Sequence, residues 1–224
     1  KVERIALGLI EIGIAPGDVV SAQLPNYWQL SALYLACVRI GAVLNPLMPI
    51  FRQRELSFML PFAQAKAMFV ARRYRDFDYP DMIERLRPDL PEISHVFVID
   101  GPGFEGLEAQ LPKSTLNPAA EFAARKPSPN YVSLLMYTSG TTAHPKGCPL
   151  SHEMLVRNGM NMNQSRYFLV ETDRFWAPLP LFHMASILPL LCCMDAGAAM
   201  LSMTYVDARQ ALQVMEQDRV TIAF

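Results

Sequence analysis

The feature that most restricts how this chain can fold is the alternation of strand-like and helix-like periods along most of its length. Asp18 to Leu24 reads as a strand after the turn residues Pro16 and Gly17. Leu30, Leu33, Tyr34, Cys37 and Gly41 then recur at helical spacing, and Val43-Leu44 leads into Asn45-Pro46, where a residue without an amide proton ends a strand. A helix near Arg54 to Leu60, a strand at Ala67 to Ala71, a helix near Asp81 to Arg87 and a strand at Val96 to Asp100 continue the pattern. Such alternation predicts an α/β protein, with a mainly parallel sheet flanked by helices.

Residues 101–130 are rich in Gly, Pro, Ser and Asn and predict a solvent-facing connection, with a helix only at Ala119 to Arg125. Val132 to Tyr137 is a hydrophobic strand, followed by a loop of hydroxyls and small residues; Ser151 then caps a helix through about Gln164. A strand at Phe175 to Ala177, a helix through Leu188 to Met194 and a strand near Ala198 to Ser202 follow. Asp207 and Gln210 open a further helix with Ala208, Ala211, Leu212 and Met215 on one face. The expected organisation is a first α/β subdomain over residues 1–165 and the start of a second over 166–224. The chain begins Lys1-Val2-Glu3-Arg4 and ends at Phe224 inside a β-type run, so both ends read as cuts through a larger protein.

Composition removes several function classes. At 51% hydrophobic and 18% charged, the 224 residues suffice for a packed core and do not describe a disordered tail. Twenty basic against 21 acidic side chains give a formal net charge of -1, so no overall basic field draws in nucleic acid or an anionic membrane. The longest apolar stretch, Ile187 to Met203, is interrupted by Pro189, Asp195 and Gly197 and reads as a core helix and strand, with no transmembrane segment. Cys37, Cys148, Cys192 and Cys193 show no C-x-x-C or metal-ligand spacing; three lie in or beside apolar helical patterns, which predicts burial and fits a reducing cytoplasm.

The chemistry concentrates in residues 137–147, Tyr-Thr-Ser-Gly-Thr-Thr-Ala-His-Pro-Lys-Gly, directly after a strand. Hydroxyls and backbone amides donate to phosphate oxygens, glycine permits close approach and a lysine adds a compact positive charge, so the segment describes a polyphosphate cradle. It is not a Walker loop: Pro145 stands where that pattern needs its second glycine, and Gly147 where it needs Ser or Thr. A solvated Ser/Thr-rich turn is the bland alternative that residue types alone leave open.

This segment resembles the signature of the adenylate-forming superfamily, which comprises acyl-CoA synthetases, nonribosomal adenylation domains and luciferases. It departs from Y-T-S-G-T-T-G-x-P-K-G only at Ala143. Weaker similarities follow in family order: Gly13-Ile14, Pro16-Gly17-Asp18, Leu24-Pro25-Asn26, Gly41-Ala42-Val43, Asn45-Pro46-Leu47, Glu55-Leu56, Ser151-His152 and Pro180-Leu181-Phe182-His183. The resemblance implies that Thr138, Ser139, Gly140, Thr141, Thr142, Lys146 and Gly147 hold the β and γ phosphates of ATP. It also implies a magnesium ion accompanying the nucleotide, with no ligand identifiable in the chain. The family's catalytic lysine and its adenine and ribose segments would follow Phe224. If position 143 demands a positive φ, alanine there costs about 1–2 kcal/mol, which alters loop mobility without removing its neighbours' phosphate contacts.

The Pro178 to His183 segment is similar to the one that, in acyl-CoA synthetases, brings an aromatic residue and a histidine to the acyl pocket. Amino-acid-activating relatives place an aspartate after the phenylalanine, because a desolvated ammonium group needs an anion beside it. His183 occupies that place here and suits a carboxylate or acyl-adenylate instead. The resemblance therefore implies a ligase that converts a carboxylic acid to acyl-AMP and passes it to CoA, with His183 at the reacting end. The alternatives are an adenylation domain loading a carrier protein and a non-catalytic module of the same fold. His95, His144 and His152 read as structural or surface residues.

Overall fold

The computed structural model describes residues 1–101, 107, 110–138 and 145–224. The chain divides into two compact units, Lys1–Ser151 and His152–Phe224. The first opens with α1 (Val2–Glu11) and continues through β1 (Val19–Gln23), α2 (Trp28–Ile40), β2 (Val43–Pro46), α3 (Gln53–Phe62) and β3 (Ala65–Ala71). A short hairpin, β4 (Arg73–Tyr74) and β5 (Phe77–Asp78), precedes α4 (Tyr79–Leu86), β6 (His95–Ile99), α5 (Pro118–Ala124), β7 (Val132–Thr138) and β8 (Lys146–Ser151).

Six of these strands form one sheet in the order β6-β3-β1-β2-β7-β8, parallel except for β8, which runs antiparallel to β7. The chain passes from β2 to β3 on the far side of β1, which makes a switch point in strand order, the position where open α/β sheets take ligands beyond their carboxyl ends. Both faces of the central strands are dry: Val20, Ala22, Leu44, Phe69 and Val70 are all fully buried. This is why Ala67–Ala71 of β3 reads as a continuous apolar run and not as an alternation. Helix α2 ends on Gly41 in the left-handed conformation (φ 73°), where the Ala42 amide caps the Cys37 carbonyl at 2.9 Å.

Two expectations change in this unit. The connection after β6 is more than a solvent loop: Leu107 and Leu111 are buried, and Leu111 rests on α1 so closely that a Cβ added at Gly8 would stand 2.8 Å from the leucine Cβ. Gln110 meanwhile accepts from the Val98 amide at 2.8 Å and donates to the Val98 carbonyl, covering the open edge of β6 as a neighbouring strand would. The phosphate-loop segment also does not run straight into a helix. Lys146–Ser151 is a strand, and Pro149 is tolerated in it because β8 is the edge of the sheet.

The second unit contains α6 (His152–Met162), a π-turn at Asn163–Tyr167, β9 (Arg174–Trp176), α7 (Met184–Ala196), β10 (Ala199–Leu201), α8 (Ala208–Gln217) and β11 (Ile222–Ala223). Its three strands are parallel in the order β10-β9-β11, around a core of Leu169, Phe175, Cys192 and Cys193. Helix α6, expected with the first subdomain up to residue 165, packs here. A Cβ at Gly159 would meet Leu191 Cβ at 2.7 Å, and the Cys192 thiol donates to the Gly159 carbonyl at 3.2 Å, so a side chain at 159 would force α6 and α7 apart. Asp207 caps α8 as expected, accepting from the Gln210 amide at 2.9 Å; Ala211 is buried, but Leu212 stays exposed.

Cys37, Cys192 and Cys193 are buried and Cys148 is exposed. Burial pushes the Cys192 thiol up to about 11 and Cys193 up to about 12, and raises Cys37 as well. Alkylation under native conditions should therefore consume one thiol rapidly, at Cys148, and all four only after unfolding. A second fast thiol in the mass spectrum would contradict this packing.

Asp173 ties the start of β9 to that of β11. Its carboxylate accepts from the Val170 amide at 2.8 Å and from the Thr221 hydroxyl at 2.7 Å, and Thr221 in turn accepts from the Arg174 amide at 3.0 Å. The Val170 amide first and the Thr221 hydroxyl second hold its pKa below the ordinary carboxylate value. A depressed folded pKa gives stabilisation that is complete above the unfolded value, about 3.9, and is lost as pH falls through the folded value. The thermal midpoint of the second unit should drop as pH falls below about 4, with a shallower drop in Asp173→Asn. Parallel pH profiles for the two proteins would count against the linkage.

Candidate functional site

Of the residues expected to grip phosphate, Ser139, Gly140, Thr141 and Thr142 lie outside the described residues, as do Ala143 and His144. Thr138, Lys146 and Gly147 are placed, and they come together at the base of one hairpin. Tyr137 pairs with Gly147 and Thr138 with Lys146 across the β7–β8 ladder. Because β7 lies parallel to β2, this hairpin leaves the sheet at the carboxyl ends of the parallel strands.

Side chains directly opposite in an antiparallel pair share a face, so the Thr138 hydroxyl and the Lys146 ammonium project to the same side. Both residues are exposed, and Lys146 makes no ion pair among the described residues. The preceding rung faces inward. The Tyr137 hydroxyl donates to the Met59 carbonyl in the last turn of α3 at 3.0 Å, and burial pushes the phenol up to about 12, so it remains a donor at neutral pH. Gly147 is closely faced on the same side: a Cβ there would stand 3.3 Å from Phe62 Cε1 and 3.4 Å from Leu135 Cδ1, so a side chain would push these neighbours back by a few tenths of an ångström. Tyr137 opens the matched signature, but nothing in the sequence gave it or Phe62 a task. For Phe62 the available signal was the apolar end of α3, Phe58 to Phe62, where the two phenyl rings stack at 5.4 Å.

His183 belongs to the second unit, at the N-cap of α7. Its Nδ1 accepts from the Ala185 amide at 3.1 Å, and its own amide donates to the Pro180 carbonyl at 3.0 Å. With Nδ1 accepting, the neutral ring carries its proton on Nε2, available to a ligand because the residue is exposed. The segment before it is held by buried Leu181 and by the Ser186 hydroxyl, which donates to the Leu179 carbonyl. His183 thus has a structural task that sequence reasoning did not assign. Of the other histidines, burial lowers the pKa of His152, and the His95 ring stacks on Phe97 at 6.0 Å.

The chain is 29% identical to the medium-chain fatty-acid–CoA ligase of Escherichia coli, over 97% of this chain and 38% of that protein. It is 30% identical to the long-chain-fatty-acid–CoA ligase FadD13 of Mycobacterium tuberculosis, over 98% of this chain and 41% of the relative. Among solved structures, a fatty acyl CoA synthetase from Mycobacterium tuberculosis superposes with a TM-score of 0.81 at 24% identity, covering 99% of this chain and 41% of that one, a likeness of fold. The chain thus spans about two fifths of the length of these relatives. The model of the family described as AMP-binding enzyme matches residues 1–224, and the chain belongs to that family.

Proposed function

We propose that this chain carries the ATP-phosphate site and one acyl-site segment of an AMP-forming acyl-CoA ligase. The observation that carries the reading is the Thr138–Lys146 rung, a hydroxyl beside an ammonium that makes no ion pair among the described residues, at the carboxyl end of the parallel strands. In the proposed reaction a carboxylate oxygen attacks the α-phosphorus of ATP, the bond to the β-phosphate oxygen breaks, and pyrophosphate leaves. The CoA thiolate then attacks the acyl carbon and AMP departs. Lys146 and Thr138, with the hydroxyls of Ser139, Thr141 and Thr142, would stabilise negative charge as pyrophosphate forms. His183, with its proton on Nε2, would donate to a carboxylate or acyl-phosphate oxygen, for which an α-ammonium group is no substitute.

No group of three His, Cys, Asp or Glu side chains among the described residues is placed to hold a metal ion. These residues therefore offer no protein cage for magnesium, which would enter on the phosphate oxygens of ATP. The proposed partners are a carboxylic acid, ATP and CoA; the charge balance favours no nucleic acid, and no described helix is long and apolar enough to cross a membrane. Three buried free thiols support a reducing, cytoplasmic setting. Because the chain covers about two fifths of its relatives, the 224 residues alone should bind ATP weakly and release no acyl-AMP.

The test is ATP–pyrophosphate exchange by the protein carrying this sequence, across a panel of carboxylic and amino acids. Exchange supported by fatty or aryl acids and not by amino acids is expected. Exchange driven by an amino acid would instead point to an adenylation domain, and no exchange with any acid would leave a binding module.

A further inference from the structure

We propose that Tyr137 and Phe62 are positioning residues for the nucleotide: with Gly147 they clamp the base of the β7–β8 hairpin onto α3 and so aim Thr138 and Lys146 as a pair. The assignment rests on reading that hairpin as an ATP-phosphate site.

The clamp follows from strand geometry. Side chains alternate along a strand, so the Tyr137–Gly147 rung and the Thr138–Lys146 rung face opposite ways. β8 is the edge of the sheet and pairs with β7 alone, and a two-stranded ribbon has little stiffness of its own. Its orientation therefore depends on what holds the other rung. There the Tyr137 hydroxyl donates to the Met59 carbonyl, which also accepts the Ala63 amide at 3.0 Å, filling both of its lone pairs. Phe62 occupies the space that Gly147 leaves open and is steadied by stacking on Phe58. Phe62 is nonetheless 60% exposed, so its ring adds little to the core while touching the hairpin that presents Lys146. A displacement of about 1 Å at a charge-stabilising group is enough to weaken its action substantially.

The experiment compares Tyr137→Phe, Phe62→Ala, Phe62→Leu and Lys146→Ala in the protein carrying this sequence. It measures MgATP affinity by calorimetry, KM and kcat in ATP–pyrophosphate exchange, and the thermal midpoint. Tyr137→Phe and Phe62→Ala should each raise the Kd and KM for ATP about three- to tenfold, a part of the worth of the charge-assisted contact that the clamp aims, with kcat at saturating ATP and the midpoint nearly unchanged. Phe62→Leu keeps an apolar contact and should recover most of the affinity. A lower midpoint with unaltered ATP binding in the two clamp variants would reduce them to structural residues and overturn the clamp, as would no effect of either kind. If Lys146→Ala weakens ATP binding and neither clamp variant does, the clamp alone fails. If Lys146→Ala also leaves ATP binding intact, the phosphate-site reading fails and the clamp fails with it.

Discussion

Lys146→Ala is expected to raise the KM for ATP about 10- to 100-fold, the worth of one charge-assisted hydrogen bond to phosphate, while shifting the thermal midpoint by no more than about 2 °C. The two readouts separate because of where Lys146 sits. It is exposed on the outward rung of an edge strand, without an ion pair among the described residues, so folding draws little from it. A polyphosphate brought beside the Thr138 hydroxyl would draw on it directly. Steady-state exchange kinetics and thermal unfolding of the same preparation make the comparison, and unchanged ATP kinetics would contradict the assignment.

The second large effect concerns His183, where capping and chemistry must be separated. His183→Ala removes the imidazole and the acceptor for the Ala185 amide together, so it should cost about 1 kcal/mol of stability along with turnover. His183→Asn restores a capping oxygen and should recover the midpoint, yet both variants should lose about tenfold or more in kcat/KM for the acid. Full activity in His183→Asn would show that the histidine serves α7 alone.

The sheet was legible in the sequence because burial on both faces writes itself as apolar runs, as in Ala67 to Ala71, and because Asn45-Pro46 and Gly41 punctuate the ends of their elements. What escaped was decided by contacts between distant segments. Leu111 lies in a stretch rich in turn residues, and only its seat against Gly8 of α1 shows that the stretch is anchored. Pro149 argues against a strand unless that strand is known to be an edge, which depends on the order of the whole sheet. The amphipathic pattern of α6 shows that it packs but not against which partner, and the close approach of Gly159 to Leu191 assigns it to the second unit.

The site divides in the same way. The hydroxyls, Gly147 and Lys146 were visible as residue types after a strand, and the signature gave them an order. The pairing of Thr138 with Lys146 across one rung was not visible, because residues 137–147 do not reveal that a second strand returns along the first. Nor did the sequence distinguish Gly147 as a phosphate contact from Gly147 as room for Phe62.

The most direct measurement of the central claim is the product stoichiometry of the protein carrying this sequence, incubated with ATP, magnesium, CoA and an acid that supports exchange. Equal amounts of AMP, pyrophosphate and acyl-CoA thioester are predicted, with AMP formation abolished when the acid is left out. ADP and inorganic phosphate as the nucleotide products, or AMP released without any thioester, would contradict it.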